Sequence, residues 1–120
     1  MEDLSEYLRW EAADNGARIT GCDKTFEGAM AIPGYINGLP VVEIGVTAFA
    51  DCKRITSVAL PDSVESVGLG AFADCSKLEE LHLRAGIKKI EGGAFLRCSS
   101  LKSVEIPGTV ESVGDLAFCD

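Results

Sequence analysis

His82 follows Glu80 by two residues, and the position 23 residues beyond it is Glu105. An imidazole beside carboxylates can shuttle a proton or fill two corners of a metal site. Neither chemistry is complete, because no nucleophile, oxyanion donor pair or pocket can be placed around these three side chains. The other reactive set is the five cysteines, Cys22, Cys52, Cys75, Cys98 and Cys119. Cys52, Cys75 and Cys98 are spaced 23 residues apart. Metal sites draw their ligands from closer in sequence or add histidine, and His82 belongs to a different phase, so the series reads as small buried thiols. An odd cysteine count, in phase with a repeat, favours free thiols over disulfides. Cys22 lies outside the series. Cys119 falls where Ala50, Ala73 and Leu96 stand, which makes it the thiol to expect at an open end. Gly68-x-Gly70 and Gly92-Gly93 lack the flanking residues that would cradle a phosphate. The residues therefore point to no catalysis, no cofactor and no metal.

The elements that position them come from one phrase written four times. Val41-Val42-Glu43-Ile44-Gly45, Ala48-Phe49 and Cys52 return as Val64 to Gly68, Ala71-Phe72 and Cys75, then as Ile87 to Ile90, Ala94-Phe95 and Cys98. A fourth copy runs from Val110 to Gly114 and through Ala117-Phe118. A fixed 23-residue period without insertions is the signature of stacked coils. Within each coil, Ile55-x-x-Val58-x-Leu60, Leu78-x-x-Leu81-x-Leu83 and Leu101-x-x-Val104-x-Ile106 alternate at their ends as one-face-buried strands. These strands are expected to form the main parallel sheet, with rungs about 4.8 Å apart. The Val-x-x-Ile-Gly segments make a second, shorter strand per coil. Glu91 replaces the closing glycine of the third copy, where the turn is expected to be reshaped.

Phe49, Phe72, Phe95 and Phe118 are expected to stack, with Ala48, Ala71, Ala94 and Ala117 leaving room for the rings. Glu65, Lys88 and Glu111 alternate in charge along one column and read as register-setting and solubilising. Ahead of the first whole coil, Met30-x-Ile32-Pro33 repeats Val58-x-Leu60-Pro61, so half a repeat precedes it. The extra residues Tyr35 to Leu39 should bulge as a loop turning at Asn37-Gly38. Upstream, Leu8, Trp10 and Ala12 alternate, Asp14-Asn15-Gly16 signals a tight turn, and Ala17, Ile19 and Gly21 alternate after it. The competing reading is a helix opened by Asp3 and Glu6. The hairpin is preferred, with Trp10 as the lid residue covering the first coil.

These motifs resemble the BspA-type class of leucine-rich repeats, with the unit Leu-x-x-Val-x-Leu-Pro, Val-x-x-Ile-Gly, Ala-Phe-x-x-Cys. The resemblance covers residues 26–120, and residues 21–45 are similar to the lead-in to such arrays. It implies a repeat solenoid: a right-handed leucine-rich-repeat coil, mainly short parallel β-strands and turns, with an N-terminal β-hairpin cap. The expected division is a capping hairpin at 1–25 and a solenoid at 26–120. The solenoid comprises a half repeat 26–40, full repeats 41–63, 64–86 and 87–109, and a partial repeat 110–120. The resemblance also implies a bacterial cell-surface or extracellular protein that binds other proteins.

Composition narrows the partners. A net charge of −8 repels nucleic acid and anionic membrane surfaces. No apolar run approaches the roughly 18 residues of a membrane span. The first residues, Met1-Glu2-Asp3-Leu4-Ser5-Glu6, are acidic where a secretion signal is basic, which keeps a cytoplasmic location as the alternative. The expected function is a non-enzymatic, adhesion-like protein–protein interaction module. Its candidate partner-binding face is the outward set Ser57, Ala59, Glu80, His82, Arg84, Ser103 and Glu105. The alternative is an architectural spacer or oligomerising unit acting through its C-terminal end. Three accounts of that end stand side by side: a longer natural chain, a half-coil that caps itself, and a homodimer joined end to end.

Overall fold

The computed structural model describes residues 4–118. One 3-10 turn, Leu4–Tyr7, leads into an antiparallel hairpin of β1 (Leu8–Ala13) and β2 (Gly16–Cys22), closed at Asp14-Asn15. The helix reading of this stretch thus survives only as that single turn. The hairpin sits on β5 (Leu39–Ile44), which runs parallel to β2 with Ala17 opposite Val41 and Ile19 opposite Ile44. Gly16 is required at the join: a Cβ there would lie 2.2 Å from the Pro40 carbonyl oxygen. Arg18 ties the three strands together, pairing with Glu11 on β1 and, at 3.0 Å, with Glu43 on β5. The lid's buried residues are Leu8, Ala17, Ile19 and Cys22. Trp10, the expected lid residue, is half-buried and packs against the core cluster. It lies on the outer strand, whose inward side chains have a neighbour on one side only.

From β5 the coils advance by one rung each. Strands β7 (Ser66–Val67), β9 (Lys89–Ile90) and β10 (Ser112–Val113) continue the sheet in parallel, aligning Ile44, Val67, Ile90 and Val113. The row β1-β2-β5-β7-β9-β10 is extended by β4 (Tyr35–Ile36), antiparallel to the start of β5. The expected loop is therefore a tight hairpin. Asn37 and Gly38 turn it at φ 53° and 80°, the left-handed pair that two-residue hairpins need. A second sheet contains only β3 (Gly28–Ala31), β6 (Ile55–Ala59) and β8 (Glu80–His82). The half repeat holds its predicted register, with Met30 opposite Val58.

Two corrections follow. The sheet expected to be the main one is the smaller, because the lid hairpin, β4 and β10 all join the other while residues 101–106 add no strand to this one. And residues 101–106, which carry the strand pattern, form no strand, so Ser103 and Glu105 do not sit on a rung.

The corner between the sheets holds the coils together most tightly. Thr47 N–H donates to the Leu69 carbonyl (2.9 Å), Gly70 N–H to Gly92 (3.1 Å), and Gly93 N–H to Asp115 (2.9 Å). Beside this column, Phe49 N–H donates to Ala71, Phe72 to Ala94 and Phe95 to Ala117, each at 2.7 Å. A third column runs from Asp51 to Ala73 and from Asp74 to Leu96, both at 2.8 Å. Leu69 C=O and Gly70 N–H belong to one planar peptide unit, so every unit in a column points the same way. The backbone achieves this with left-handed residues at two places per coil: Thr47, Gly70, Gly93 and Leu116 (φ 53° to 65°), and Asp51, Asp74 and Arg97 (φ 57° to 63°). At the first coil, the Ala50 carbonyl that begins the third column accepts the Lys24 ammonium at 2.7 Å.

The phenylalanines ride on these bonds. Rings of Phe49, Phe72, Phe95 and Phe118 stack at centroid spacings of 4.9, 5.3 and 5.1 Å, tilted by 12° at most. Buried Ala48, Ala71, Ala94 and Ala117 flank them. The turn at Glu91 is not reshaped. Glu91 N–H bonds Val67 C=O (2.9 Å) as Gly68 bonds Ile44 (2.7 Å) and Gly114 bonds Ile90 (2.6 Å). Outside, the Arg97 guanidinium grips Asp74 at 2.7 and 3.1 Å and holds its carboxyl below the ordinary carboxylate value. Because that value is depressed, the contribution is complete above the unfolded value and is lost as pH falls through the folded one.

Two measurements test this account. Phe72→Ala empties the middle of the ring stack and should cost about 3 to 5 kcal/mol in denaturant unfolding; unchanged stability would mean the stack is not core. Thr47→Gly relieves a β-branched residue in the left-handed region at an exposed corner, and should add about 1 kcal/mol. A lowered melting temperature would show that the Thr47 side chain contributes more than the strain removes.

Candidate functional site

The outward face of the smaller sheet gathers most of the predicted surface residues. Register sets Ala29, Ser57 and Glu80 in one row across β3, β6 and β8, and Ala31, Ala59 and His82 in the next. Backbone bonds fix the rows: Glu79 N–H to Thr56 C=O (2.8 Å), Leu60 N–H to His82 C=O (3.1 Å) and Ile32 N–H to Ala59 C=O (3.0 Å). Between the rows, Met30, Val58 and Leu81 point inward and are buried, so the frame cannot shift when outward residues change. Ser57 and Ala59 are half-buried, while Glu80, His82 and Arg84 are exposed. The face is thus a smooth platform of small side chains, bordered on its C-terminal side by charge. Ser103 and Glu105 are exposed on the irregular segment beyond it, not in its ladder.

Ala29 and Ala31 belong to this platform and were missed in the sequence. The signal was present: aligning Met30 with Val58 places Ala29 and Ala31 in phase with Ser57 and Ala59. Small residues drew no attention because they carry no chemistry of their own.

His82 Nε2 lies 3.6 Å from Glu80 Oε1, with side-chain exposures of 55% and 68%. Among the described residues Glu80 is the one carboxylate within ion-pairing range of His82; Glu105 does not join them. An exposed pair of this kind contributes well under about 1 kcal/mol, and it faces water rather than a cleft. Among the described residues no three histidine, cysteine or acidic side chains converge as a metal set. Gly70 and Gly93 serve the corner, where their N–H groups bond the next coil instead of facing a ligand. Glu65, Lys88 and Glu111 stack rung upon rung through backbone bonds of 2.8 and 2.7 Å.

The cysteine series is internal and longer than its spacing suggested. Cys75 Sγ donates to Phe49 C=O and Cys98 Sγ to Phe72 C=O, each at 3.1 Å. Cys22, expected outside the series, meets the Cys52 thiol, because the lid hairpin carries it onto the first coil. The hydrogen bond to Cys52, then burial, pushes the Cys22 thiol up, while the same bond stabilises a Cys52 thiolate and lowers its value. Cys75 is pushed up by its bond with Cys98 and by burial. Cys22, Cys52 and Cys75 are free thiols, and all four cysteines, Cys98 included, are at most 3% exposed. Cys119 lies outside the described residues. No described helix is long and apolar enough to cross a membrane.

Residues 23–120 match the BspA type leucine rich repeat region, in six copies. Among solved structures, the chain is similar to a leucine rich repeat protein of T. pallidum: 32% identity and a TM-score of 0.89 over 95% of this chain and 54% of that one. A leucine-rich repeat protein from Bacteroides capillosus is 33% identical with a TM-score of 0.85, over 98% of this chain and 88% of that one. A leucine rich cell surface protein from Faecalibacterium prausnitzii is 34% identical with a TM-score of 0.80, over 93% of this chain and 29% of that one. The chain thus spans about half the length of the T. pallidum protein. No curated protein sequence matches it.

Burial predicts the behaviour of the thiols. In the folded protein under reductant, Cys22, Cys52, Cys75 and Cys98 should resist a thiol reagent and react together only as the chain unfolds, read by mass mapping of labelled peptides. Rapid native labelling of Cys52 would show that its lowered value, and not its burial, governs access.

Proposed function

Because the chain belongs to the BspA-type leucine-rich repeat family, we propose that it is a non-enzymatic protein–protein interaction module of adhesion type, presenting its smaller sheet to a protein partner. One observation carries this reading: two rows of outward side chains, from Ala29 and Ala31 to Glu80 and His82, are held in register by a buried frame that does not depend on their identity. Such a surface can diverge in recognition while the fold stays fixed. Small residues admit close approach of a partner backbone, and the bordering Glu80, His82 and Arg84 supply orientation. Display at a cell surface belongs to the same proposal and is supported by the leucine rich cell surface protein among its structural relatives.

A second reading, an architectural or oligomerising unit, is favoured by a separate feature. In the last coil Ile106, Val113 and Phe118 are 43%, 49% and 38% exposed, where Leu60, Ile90 and Phe95 in earlier coils are buried.

The readings separate by mutation. A partner captured from surface-protein extracts and then purified should bind Glu80→Arg and His82→Ala variants at least about tenfold more weakly, with unchanged melting temperatures. Glu65→Lys, on the other sheet, should bind normally. Equal binding by all variants would remove the strand face as the site.

A further inference from the structure

Three clamps seat the lid and the segment after it on the first coil, and together they bring two thiols face to face. Gly45 N–H donates to Ile19 C=O at 2.8 Å, the Lys24 ammonium to Ala50 C=O at 2.7 Å, and Gly28 N–H to Arg54 C=O at 3.0 Å. The stretch from Ile19 to Gly28 is thereby laid along the stretch from Gly45 to Arg54, with Cys22 in the first and Cys52 in the second. Both cysteines are buried, at 2% and 1% exposure, and their thiols are hydrogen-bonded to one another. Adjacent rungs lie about 4.8 Å apart, inside the roughly 4.4 to 6.8 Å between the α-carbons of a disulfide.

This pair differs from the thiols deeper in the stack. Cys75 Sγ donates to Phe49 C=O and Cys98 Sγ to Phe72 C=O, each at 3.1 Å, and each acceptor belongs to the preceding coil. Cys52 has the lid before it in place of a full coil, and its partner is Cys22. Cys22 Sγ also lies 3.5 Å from the Asp23 carbonyl oxygen. The bond with Cys22 favours a Cys52 thiolate; burial opposes it, and the nearby Lys24 assists.

We infer that Cys22 and Cys52 are a disulfide-forming pair that fastens the lid covalently to the first coil, with a small organic disulfide as the oxidant. The Cys52 thiolate attacks one sulfur of that disulfide, whose S–S bond breaks and releases a first thiolate. Cys22, losing its proton, then attacks Cys52 Sγ in the mixed disulfide and expels the second thiolate. Two protein thiols are thus oxidised by two electrons, and the reagent leaves as two thiols carrying the two protons. Because the docked lid seals both sulfurs, the exchange accompanies folding: Cys52 reacts before the hairpin seats, and seating delivers Cys22 to it. The cross-link concerns the lid and not the strand face, so it and the proposed partner binding fail separately.

The test refolds the reduced, denatured 120-residue chain in a buffer of oxidised and reduced glutathione, with Cys119→Ser to exclude links between molecules. Peptide mapping by mass spectrometry should find Cys22 joined to Cys52, with Cys75 and Cys98 open to alkylation after denaturation. The linked form should have an unfolding constant at least about 30-fold smaller than the reduced form, and reductant should abolish the difference. Both forms are the same chain, so this comparison does not depend on a variant's folding. Cys22→Ala should lose the gain. No link after refolding, a link through Cys75 or Cys98, a Cys22–Cys52 link that leaves the unfolding constant unchanged, or a gain that survives in Cys22→Ala would each overturn the inference.

Discussion

The alignment of peptide units at the corner is the constraint on which the rest depends. A peptide unit that donates forward and accepts from behind must repeat at the rung spacing, so each coil must place the same atoms at the same height. That requirement demands left-handed residues at two fixed points, which glycine meets at Gly70 and Gly93 and which Thr47 and Leu116 meet at a cost. It also sets ring spacings near 5 Å, close enough for stacking and too tight for any side chain much larger than alanine beside the rings. The cysteines follow from the same geometry. A thiol fits where its proton can meet the carbonyl of the preceding coil's phenylalanine, and a larger polar group would not.

This rigidity separates the interior from the surface in energetic terms. Emptying a ring position costs several kcal/mol, whereas an exposed pair such as Glu80 with His82 contributes a fraction of one. Selection on recognition can therefore act on the outward rows with little effect on folding. The same rigidity fixes the surroundings of His82 and of the cysteines. The imidazole is held out in water on a flat sheet, and the thiols are sealed within the coil.

Much of this was written in the sequence, because a repeat makes each position a test of the others. The period, the ring stack, the half repeat and the Asn37-Gly38 turn are all local or periodic signals, and the structure has each of them. What escaped depends on contacts between elements far apart in the chain. Cys22 joins the thiol series only because β2 pairs with β5, and the same pairing extends a sheet whose two-residue strands look minor in sequence. Trp10 packs on the core from an edge strand and so stays half-buried. Residues 101–106 have the composition of a strand but form none. In the candidate face, Glu80 and His82 stood out as charged residues, and Ala29 and Ala31 did not, although they form the larger part of the flat area.

The Lys24 ammonium on the Ala50 carbonyl, together with the hairpin seated on Pro40, has an evolutionary corollary. The hairpin and Lys24 occupy the outer side of the first coil, so a further coil cannot stack on that side. Every later junction is equivalent to the next, so an in-frame duplication of one repeat creates a coil whose two new surfaces match their neighbours without any compensating substitution. Lengthening by tandem duplication is thus nearly neutral for folding in this architecture, and each added copy brings a fresh pair of outward residues on which recognition can begin to diverge.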